Sequence, residues 1–241
     1  MEAMILAAGL GTRLHPLTNN RPKALVEVNG ITLLEHNLRR LIGFGFNKIV
    51  INVHHFPDMV MDFVRSGNFD AEILFSDERE QLLDTGGALK KAAPLFSGKE
   101  PVLIHNVDVL STLDLGDIYR KHLETNALAT LLVSKRDTAR QLLFNDNEEL
   151  VGWENLYTGE VLLNRSITEV PDNLAFSGIH IVNPDLFDML PETSPYSIIP
   201  EYLKIGKDNK ILAFKHLAEE WLDVGKPETL KQADYFIKNI K

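Results

Sequence analysis

The first residues of the chain that could do chemistry are two glycines and an arginine, in the segment Gly9-Leu10-Gly11-Thr12-Arg13. This segment directly follows the apolar run 3–8, which predicts a short buried strand. A glycine-rich turn at the end of a strand lets backbone N–H groups approach an anion without interference from a Cβ atom. Arg13 adds a permanent forked cation beside the turn. The segment therefore predicts a site for a phosphorylated ligand, and a tight turn with a solvated arginine is the alternative.

Two familiar phosphate-binding loops do not match this segment. Leu14 occupies the position of the third glycine of the dinucleotide-binding fingerprint, and no acidic residue closes a second strand at the expected distance. Leu14-His15 also stand where a P-loop requires Gly-Lys. A second cation, Lys23, follows Pro22, which stiffens the chain, and is a compact point charge suited to a phosphate.

Two aspartates farther along the chain are candidates for metal binding. Asp108 follows the apolar run 102–106, and Asp223 lies in the segment 221–227. Because an open α/β sheet binds its ligands at the carboxyl ends of its strands, Asp108 has a suitable position. Either aspartate could instead form a turn or cap a helix.

Together these segments resemble the signatures of the sugar-1-phosphate nucleotidyltransferases, which join a sugar 1-phosphate to a nucleoside triphosphate. Residues 6–13 match the family's Leu-Ala-Ala-Gly-x-Gly-x-Arg, and residues 22–25 match Pro-Lys-Pro-Leu except at Ala24. Val107-Asp108 stands where the family has Gly-Asp, and residues 221–227 are similar to Trp-x-Asp-Val-Gly-Thr-Pro. Chance rarely produces four signatures in the family's order.

The resemblance implies roles for individual residues. The catalytic set is Arg13, Lys23, Asp108 and Asp223, with the two aspartates holding Mg²⁺. The residues that contact the nucleotide are Leu6, Ala7, Ala8, Gly9, Gly11, Thr12, Arg13, Gln81, Thr85 and Gly86. The residues that contact the sugar phosphate are Lys23, Glu154, Ser177 and Gly178.

Three of these residues also have other interpretations. The Gln81 amide could bind a uracil edge, because it both donates and accepts hydrogen bonds, or it could be a solvated loop side chain. Gly178 could equally mark a bulge or a close packing contact. Thr85 is predicted to cap the helix that follows it.

One position departs from the family in a way that affects the sugar phosphate. Asn155 replaces the lysine of the family's Glu-Lys-Pro, so the cation for the sugar phosphate must come from elsewhere. The candidates are Lys23, Lys135, Arg136 and Arg140.

Within the family, the resemblance is greatest to the enzymes that transfer a uridylyl group to N-acetylmuramate 1-phosphate. It implies UTP and an N-acetylated sugar phosphate as substrates, with an NDP-sugar and pyrophosphate as products. Mannose- or heptose-1-phosphate guanylyltransferases and glucose-1-phosphate transferases are the alternatives. A regulatory homologue that binds nucleotide-sugars without turnover is a further alternative, which the four catalytic residues disfavour.

The elements that must position these residues alternate between strand and helix in the first half of the chain. The box Thr32-Leu33-Leu34-Glu35 predicts the start of a helix, and the runs 24–28, 49–53 and 71–75 predict strands. Such alternation predicts a parallel sheet with both faces covered. The apolar runs 127–134, 141–144, 150–153 and 161–163 lie too close together for crossover helices, which predicts antiparallel pairing.

The predicted fold class is therefore α/β. We expect a Rossmann-like mixed, mainly parallel sheet flanked by helices, with a smaller antiparallel portion for the sugar. Residues 1–241 are expected to form a single domain, with a nucleotide-binding half over about 1–115 and a sugar-binding half over about 116–241.

Composition excludes several other classes of protein. The formal net charge of −9, from 25 basic and 34 acidic residues, disfavours nucleic-acid binding, which requires an extended basic face. The absence of cysteine excludes disulfides and thiolate zinc sites, and the histidines lack metal-binding spacing. No apolar run approaches the length of a membrane span, so a cytoplasmic protein without membrane partners is expected. The sequence does not determine the oligomeric state.

Overall fold

A ten-stranded sheet joins the two halves of the chain. The computed structural model describes residues 1–166, 169–193 and 195–237. Its strands are β1 (Glu2–Leu6), β2 (Glu27–Val28), β3 (Ile31–Thr32), β4 (Lys48–Val53), β5 (Glu72–Asp77), β6 (Val102–Asn106), β7 (Val109–Ser111), β8 (Ala129–Ser134), β9 (Arg140–Phe144), β10 (Leu150–Asn155), β11 (Glu160–Leu163), β12 (Asp172–Val182), β13 (Ile211–Lys215) and β14 (Trp221–Asp223). Its α-helices are α1 (Leu33–Gly43), α2 (Pro57–Ser66), α3 (Asp84–Ala92), α4 (Leu115–Leu123), α5 (Asp185–Met189), α6 (Ile198–Ile205) and α7 (Pro227–Ile237).

The first half of the sheet is parallel. Its strand order is β5-β4-β1-β6, and β1 lies between β4 and β6 with Leu6 beside Asn52 and Asn106. Alternate residues of β1 enter different cores: Ala3 and Ile5 pack on one face of the sheet and Met4 on the other. Helices therefore cover both faces, and the predicted mixed, mainly parallel α/β sheet is confirmed.

The second half of the sheet contains the predicted antiparallel pairings. Strand β12 pairs antiparallel with β6, β8 and β9, and β10 pairs antiparallel with β9 and β11. Strand β13 adds a parallel pair to β8. Because β12 pairs with strands of both halves, it connects the parallel part of the sheet to the antiparallel part.

One strand prediction was wrong. Residues 23–25 form a 3₁₀ turn, and the strand is limited to Glu27–Val28, which pairs with β3 in a separate two-stranded hairpin. The Val26 N–H binds the Lys23 carbonyl at 3.1 Å, so the backbone curls at this point instead of joining the large sheet. Asn29 and Gly30 have the positive φ angles that a tight hairpin turn requires.

The predicted start of α1 is confirmed. The Thr32 hydroxyl accepts a hydrogen bond from the Glu35 N–H at 3.1 Å. Glu35 itself binds Arg39 one turn later. Leu34, Leu38 and Leu41 of this helix are buried, as their shared spacing predicts.

The predicted role of Thr85 was wrong. Helix α3 begins at Asp84, and Leu83 at its N-cap position makes no side-chain capping bond. The Asp84 carboxylate accepts from the Thr85 N–H at 2.6 Å. The Thr85 hydroxyl instead accepts a hydrogen bond from the N–H of Ile198, the first residue of α6, at 3.0 Å. A threonine next to a helix start can therefore cap a different helix when the fold places that helix within reach.

The end of β6 is fixed by a buried side chain of α1. Asn37 donates a hydrogen bond to the Val107 carbonyl at 2.9 Å, and the Val107 N–H binds the Leu6 carbonyl at 3.1 Å. Val107 packs into the core, so the valine in the family's glycine position fits without strain. These contacts hold the backbone directly before Asp108.

None of the described helices has the length and apolar composition needed to span a membrane.

Replacing Asn37 with alanine should destabilise the fold at this point. The Asn37→Ala variant leaves the buried Val107 carbonyl without its donor, which should lower the free energy of unfolding by about 1–3 kcal/mol. Urea denaturation measures this loss. Arg39→Ala, on the exposed side of the same helix, is the matched control and should cost no more than about 0.5 kcal/mol. Equal losses in the two variants would contradict the assigned role of Asn37.

Candidate active site

Two aspartates from distant parts of the chain meet through one pair of short strands. Strand β14 pairs antiparallel with β7, with Asp223 opposite Val109. The Val224 N–H binds the Asp108 carbonyl at 2.9 Å, which continues the contact past the strand end. A Cβ built on Gly225 would lie 2.8 Å from Asp223 Oδ1 and 3.0 Å from Asp108 Oδ2. The two carboxylates therefore face one small space that only a glycine leaves open.

Two cations reach the same space. The Arg13 Nη2 atom would lie 2.7 Å from the same Gly225 Cβ. Lys23 forms an ion pair with Asp108 Oδ2, and both side chains are largely withdrawn from solvent. The structure therefore brings together the four predicted catalytic residues, Arg13, Lys23, Asp108 and Asp223.

The turn at Gly11 explains how Arg13 and Lys23 converge. Gly11 has a φ of 66°, and a Cβ at this residue would lie 2.9 Å from Thr18 and 3.1 Å from Lys23. The Thr18 hydroxyl donates to the Gly11 carbonyl at 2.9 Å. Glycine adopts this left-handed conformation without the strain that a side chain adds, and the missing Cβ permits the close approach of Thr18 and Lys23.

The two carboxylates fit a hard dication whose coordination would be completed by phosphate oxygens. Mg²⁺ is commonly held by one or two carboxylates together with substrate phosphates and water. Asp108 and Asp223 supply two such carboxylates. No cluster of three or more potential metal ligands occurs among residues 1–166, 169–193 and 195–237. A magnesium ion at this place would therefore need the phosphates of a bound nucleotide.

A cleft of about 800 Å³ begins at the two aspartates and extends over the antiparallel part of the sheet. Its lining includes Asp108, Asp223, Ser177 and Gly178 from the predicted set. Glu154, the other predicted sugar contact, is not among the lining residues and binds Asn173 instead. Its neighbours Trp153 and Asn155 line the cleft, because successive side chains of a strand point to opposite faces.

Ser177 and Gly178 lie where β12 changes register. The register of β12 against β8 shifts between Phe176 and His180, and Gly178 has a φ of 71°. A Cβ on Gly178 would lie 2.6 Å from Asn106 Nδ2. Gly178 therefore lies at a bulge of β12 and also in the lining of the cleft.

The Ser177 side chain is committed to a structural contact. Its hydroxyl lies 2.7 Å from His216 Nε2, while His216 Nδ1 lies 2.8 Å from the Leu217 carbonyl. A carbonyl only accepts, so Nδ1 carries the proton and the Ser177 hydroxyl donates to Nε2. Ser177 is fully buried, which argues against a serine nucleophile.

A buried network supports the opening loop. The Ala7 N–H binds Asn52 Oδ1 at 2.7 Å, and Asn52 Nδ2 donates to Glu78 Oε1 at 2.8 Å. Glu78 Oε2 accepts from the Leu83 N–H at 3.1 Å. Burial raises the pKa of Glu78, and the bonds from Asn52 and Leu83 oppose that shift. This carboxylate thus connects the glycine loop to the loop that carries Gln81.

The predicted nucleotide contacts differ in their surroundings. Gln81 is exposed, as are Gly9 and Thr12 of the opening loop. The Gly86 N–H binds the Tyr196 carbonyl at 2.9 Å, and a Cβ on Gly86 would lie 2.3 Å from the Tyr196 ring. Ala8 is buried, and the Leu6 carbonyl accepts from Val107. Leu6, Ala7, Thr85 and Gly86 therefore use polar groups for internal contacts.

Comparison with known proteins establishes the family. Residues 2–142 match the family described as nucleotidyl transferase. The chain is 34% identical to the N-acetylmuramate alpha-1-phosphate uridylyltransferase of Caulobacter vibrioides, over 96% of this chain and 95% of that protein. The chain belongs to the sugar-1-phosphate nucleotidyltransferase family.

Two further relatives extend the comparison. The transferase is 30% identical to the mannose-1-phosphate guanyltransferase of Pichia angusta over 95% of its own length, which spans 62% of that protein. It superimposes on a Bacillus anthracis chain described as a glucose-1-phosphate thymidylyltransferase with a TM-score of 0.81, covering 100% of this chain and 96% of the other. That pair is 19% identical, so the likeness shows a shared fold.

Some residues of the candidate site carry no recognisable signal in the sequence. Trp153 gave no separate signal, since only its neighbours fell on a recognised motif. Glu78 also gave none, because nothing in its position indicated burial. Arg136 was one of several candidate cations, and the structure places it in the cleft lining together with Arg140, whereas Lys135 is exposed outside that lining.

The raised pKa of Glu78 predicts how stability depends on pH. Because the folded-state pKa lies above the unfolded value, the folded protein gains stability as pH falls through the raised pKa. Glu78→Gln does not titrate, so wild type should gain stability relative to this variant as pH falls from neutral toward the ordinary glutamate range. Urea denaturation of both proteins at each pH measures the difference. Glu80→Gln, at an exposed position, is the control and should follow wild type.

Proposed function

We propose that this protein transfers a uridylyl group from UTP to N-acetylmuramate 1-phosphate or a closely related hexose 1-phosphate, releasing pyrophosphate. The observation that carries the proposal is the convergence of Arg13, Lys23, Asp108 and Asp223 at one end of a cleft large enough for a sugar. The choice of base and sugar is supported by the Caulobacter vibrioides relative, which aligns along nearly its full length.

The proposed reaction needs little acid–base chemistry from the protein. The second pKa of a phosphate monoester lies near 6, so at neutral pH the attacking oxygen is already an anion. The four converging residues include no histidine or other base poised for proton transfer. The main barrier is therefore the repulsion between this anion and the α-phosphate of the triphosphate.

Local cations reduce that repulsion. Arg13 can bind the triphosphate with its fork, and Lys23 can exchange its pairing with Asp108 for a reacting phosphate. We propose that Asp108 and Asp223 hold Mg²⁺ together with the nucleotide phosphates. The bound ion would supply positive charge for the α-phosphate and the departing pyrophosphate. Positioning and electrostatic stabilisation would thus account for catalysis.

Removing either carboxylate should reduce turnover strongly. Asp108→Asn and Asp223→Asn each weaken the hold on the dication, which should lower kcat by at least about 100-fold with Mg²⁺ present. A pyrophosphate-release assay measures kcat, and thermal unfolding verifies that the variants are folded. Asp62→Asn, an exposed change outside the site, is the control and should retain the wild-type rate. Near-normal Mg²⁺-dependent rates in either folded variant would rule out the metal assignment.

A substrate panel tests the proposed specificity. UTP, dTTP, GTP, CTP and ATP would each be paired with the 1-phosphates of N-acetylmuramate, N-acetylglucosamine, mannose, glucose and heptose. We expect the highest kcat/KM with UTP and an N-acetylated sugar phosphate, because a site whose polar groups match one base discriminates against others. Preference for GTP with mannose or heptose 1-phosphate would favour the second candidate, which the Pichia angusta relative supports. Nucleotide-sugar binding with no pyrophosphate release from any pair would indicate a regulatory homologue.

A further inference from the structure

Arg136 is held in the cleft by an aromatic ring and a backbone carbonyl. Its guanidinium carbon lies 3.6 Å from the centre of the Trp221 ring, and Nη2 donates to the Phe176 carbonyl at 2.8 Å. Guanidinium groups stack on aromatic faces with a gain in free energy that increases when water is excluded. The side chain therefore has a fixed position without an ion pair to any carboxylate of residues 1–166, 169–193 and 195–237.

One end of this guanidinium lacks a partner. Arg136 Nη1 is buried and has no hydrogen-bond acceptor within the described part of the chain. Burial lowers the pKa of Arg136 to about 10, while Asp223 opposes the shift, so the group remains charged at neutral pH. A buried charged donor without an acceptor costs free energy, and an anionic ligand would remove that cost.

The position of Arg136 relates it to the reacting phosphates. Trp221 and Asp223 are two residues apart on β14, so their side chains leave the same face of that strand. The Trp221 indole N–H donates to the Ser177 carbonyl at 2.6 Å, which fixes the ring against β12. Arg136 thus lies in the cleft lining on the Trp221 ring, close enough to Asp223 to feel its charge.

The other candidate cations are less suited to this role. Lys23 must give up its ion pair with Asp108 before it can bind a phosphate, whereas Arg136 Nη1 has no contact to give up. Lys135 is exposed outside the lining of the cleft. Arg140 lines the cleft from β9, where it lies beside Asn155 and is exposed. Only Arg136 among these four combines a fixed position with a buried donor that has no acceptor in the described structure.

We propose that Arg136 binds the phosphate of the sugar 1-phosphate. This inference rests on the proposed function. Trp221 acts as a positioning residue, since it holds the guanidinium by stacking. The phosphate, common to all sugar 1-phosphates, would accept the hydrogen bond that Nη1 otherwise lacks.

Substitution of Arg136 should separate the two substrates kinetically. Arg136→Met preserves much of the stem but loses the charge, so KM for the sugar 1-phosphate should rise about 10- to 100-fold. KM for UTP should change less than about threefold, because Arg136 is assigned to the sugar phosphate and not to the nucleotide. Arg136→Lys keeps the charge without the fork and should fall between Arg136→Met and wild type. Lys135→Met is the matched control and should behave as wild type.

The range of sugars distinguishes the phosphate from other anionic groups. The Arg136→Met penalty should be similar for the 1-phosphates of N-acetylmuramate, N-acetylglucosamine and mannose, since they share only the phosphate as an anion. A penalty confined to N-acetylmuramate 1-phosphate would assign Arg136 to the sugar carboxylate and overturn the proposal. A larger loss in Arg140→Met than in Arg136→Met would also overturn it.

Two controls keep the outcomes separate. Loss of the Phe176 contact could destabilise Arg136→Met, so thermal unfolding and KM for UTP are measured on the same sample. If Arg136 had a purely structural role, its loss would raise KM for UTP and KM for the sugar 1-phosphate by similar factors, and that result would contradict the proposal. If wild type releases no pyrophosphate with any pair, the proposed function fails. If wild type is active and Arg136→Met keeps its KM for sugar phosphate, only the role of Arg136 fails.

Discussion

The pairing of β14 with β7 is the contact on which the rest of the site depends. These three-residue strands bring Asp223 beside Asp108, although the two residues lie far apart in the chain. The same pairing places Trp221 against Ser177 and thereby provides the surface on which Arg136 stacks. Gly225 completes the arrangement, because any side chain there would occupy the space that the carboxylates and Arg13 share. This short antiparallel pair thus determines the positions of the Asp108 and Asp223 carboxylates and of the two arginines beside them, Arg13 and Arg136.

Electrostatics within the site must overcome the charge of the whole protein. The chain carries a formal net charge of −9, yet its proposed ligands are anions. Screening confines interactions between exposed charges to about 10 Å at 0.1 M salt, so cations close to the ligand matter more than net charge. Each cation is held by a different contact: Lys23 by Asp108 and Arg136 by Trp221. These contacts position positive charge before a ligand arrives, which reduces the reorganisation that binding requires.

The two parts of the site differ in how they are built. The backbone of the opening loop is fixed by internal hydrogen bonds, because the Ala7 N–H donates to Asn52, which in turn donates to the buried Glu78. The cleft is a sheet surface, where side-chain alternation decides which residues face the ligand. A substitution that alters the opening loop would therefore disturb a buried network, whereas the cleft also includes exposed side chains such as Arg140 and Leu162.

The sequence by itself determined the features that depend on neighbouring residues. The glycine loop, the cap at Thr32, the alternation of strands and helices and the four catalytic candidates could all be identified, because their chemistry is contained in short segments. The tertiary structure alone decided which groups meet. Thr85 caps a helix that begins more than a hundred residues later, Glu154 lies outside the cleft lining, and Arg136 rather than Lys135 lines it. These outcomes follow from strand pairing and side-chain direction, which are set by contacts between segments distant in sequence and are not encoded in local spacing.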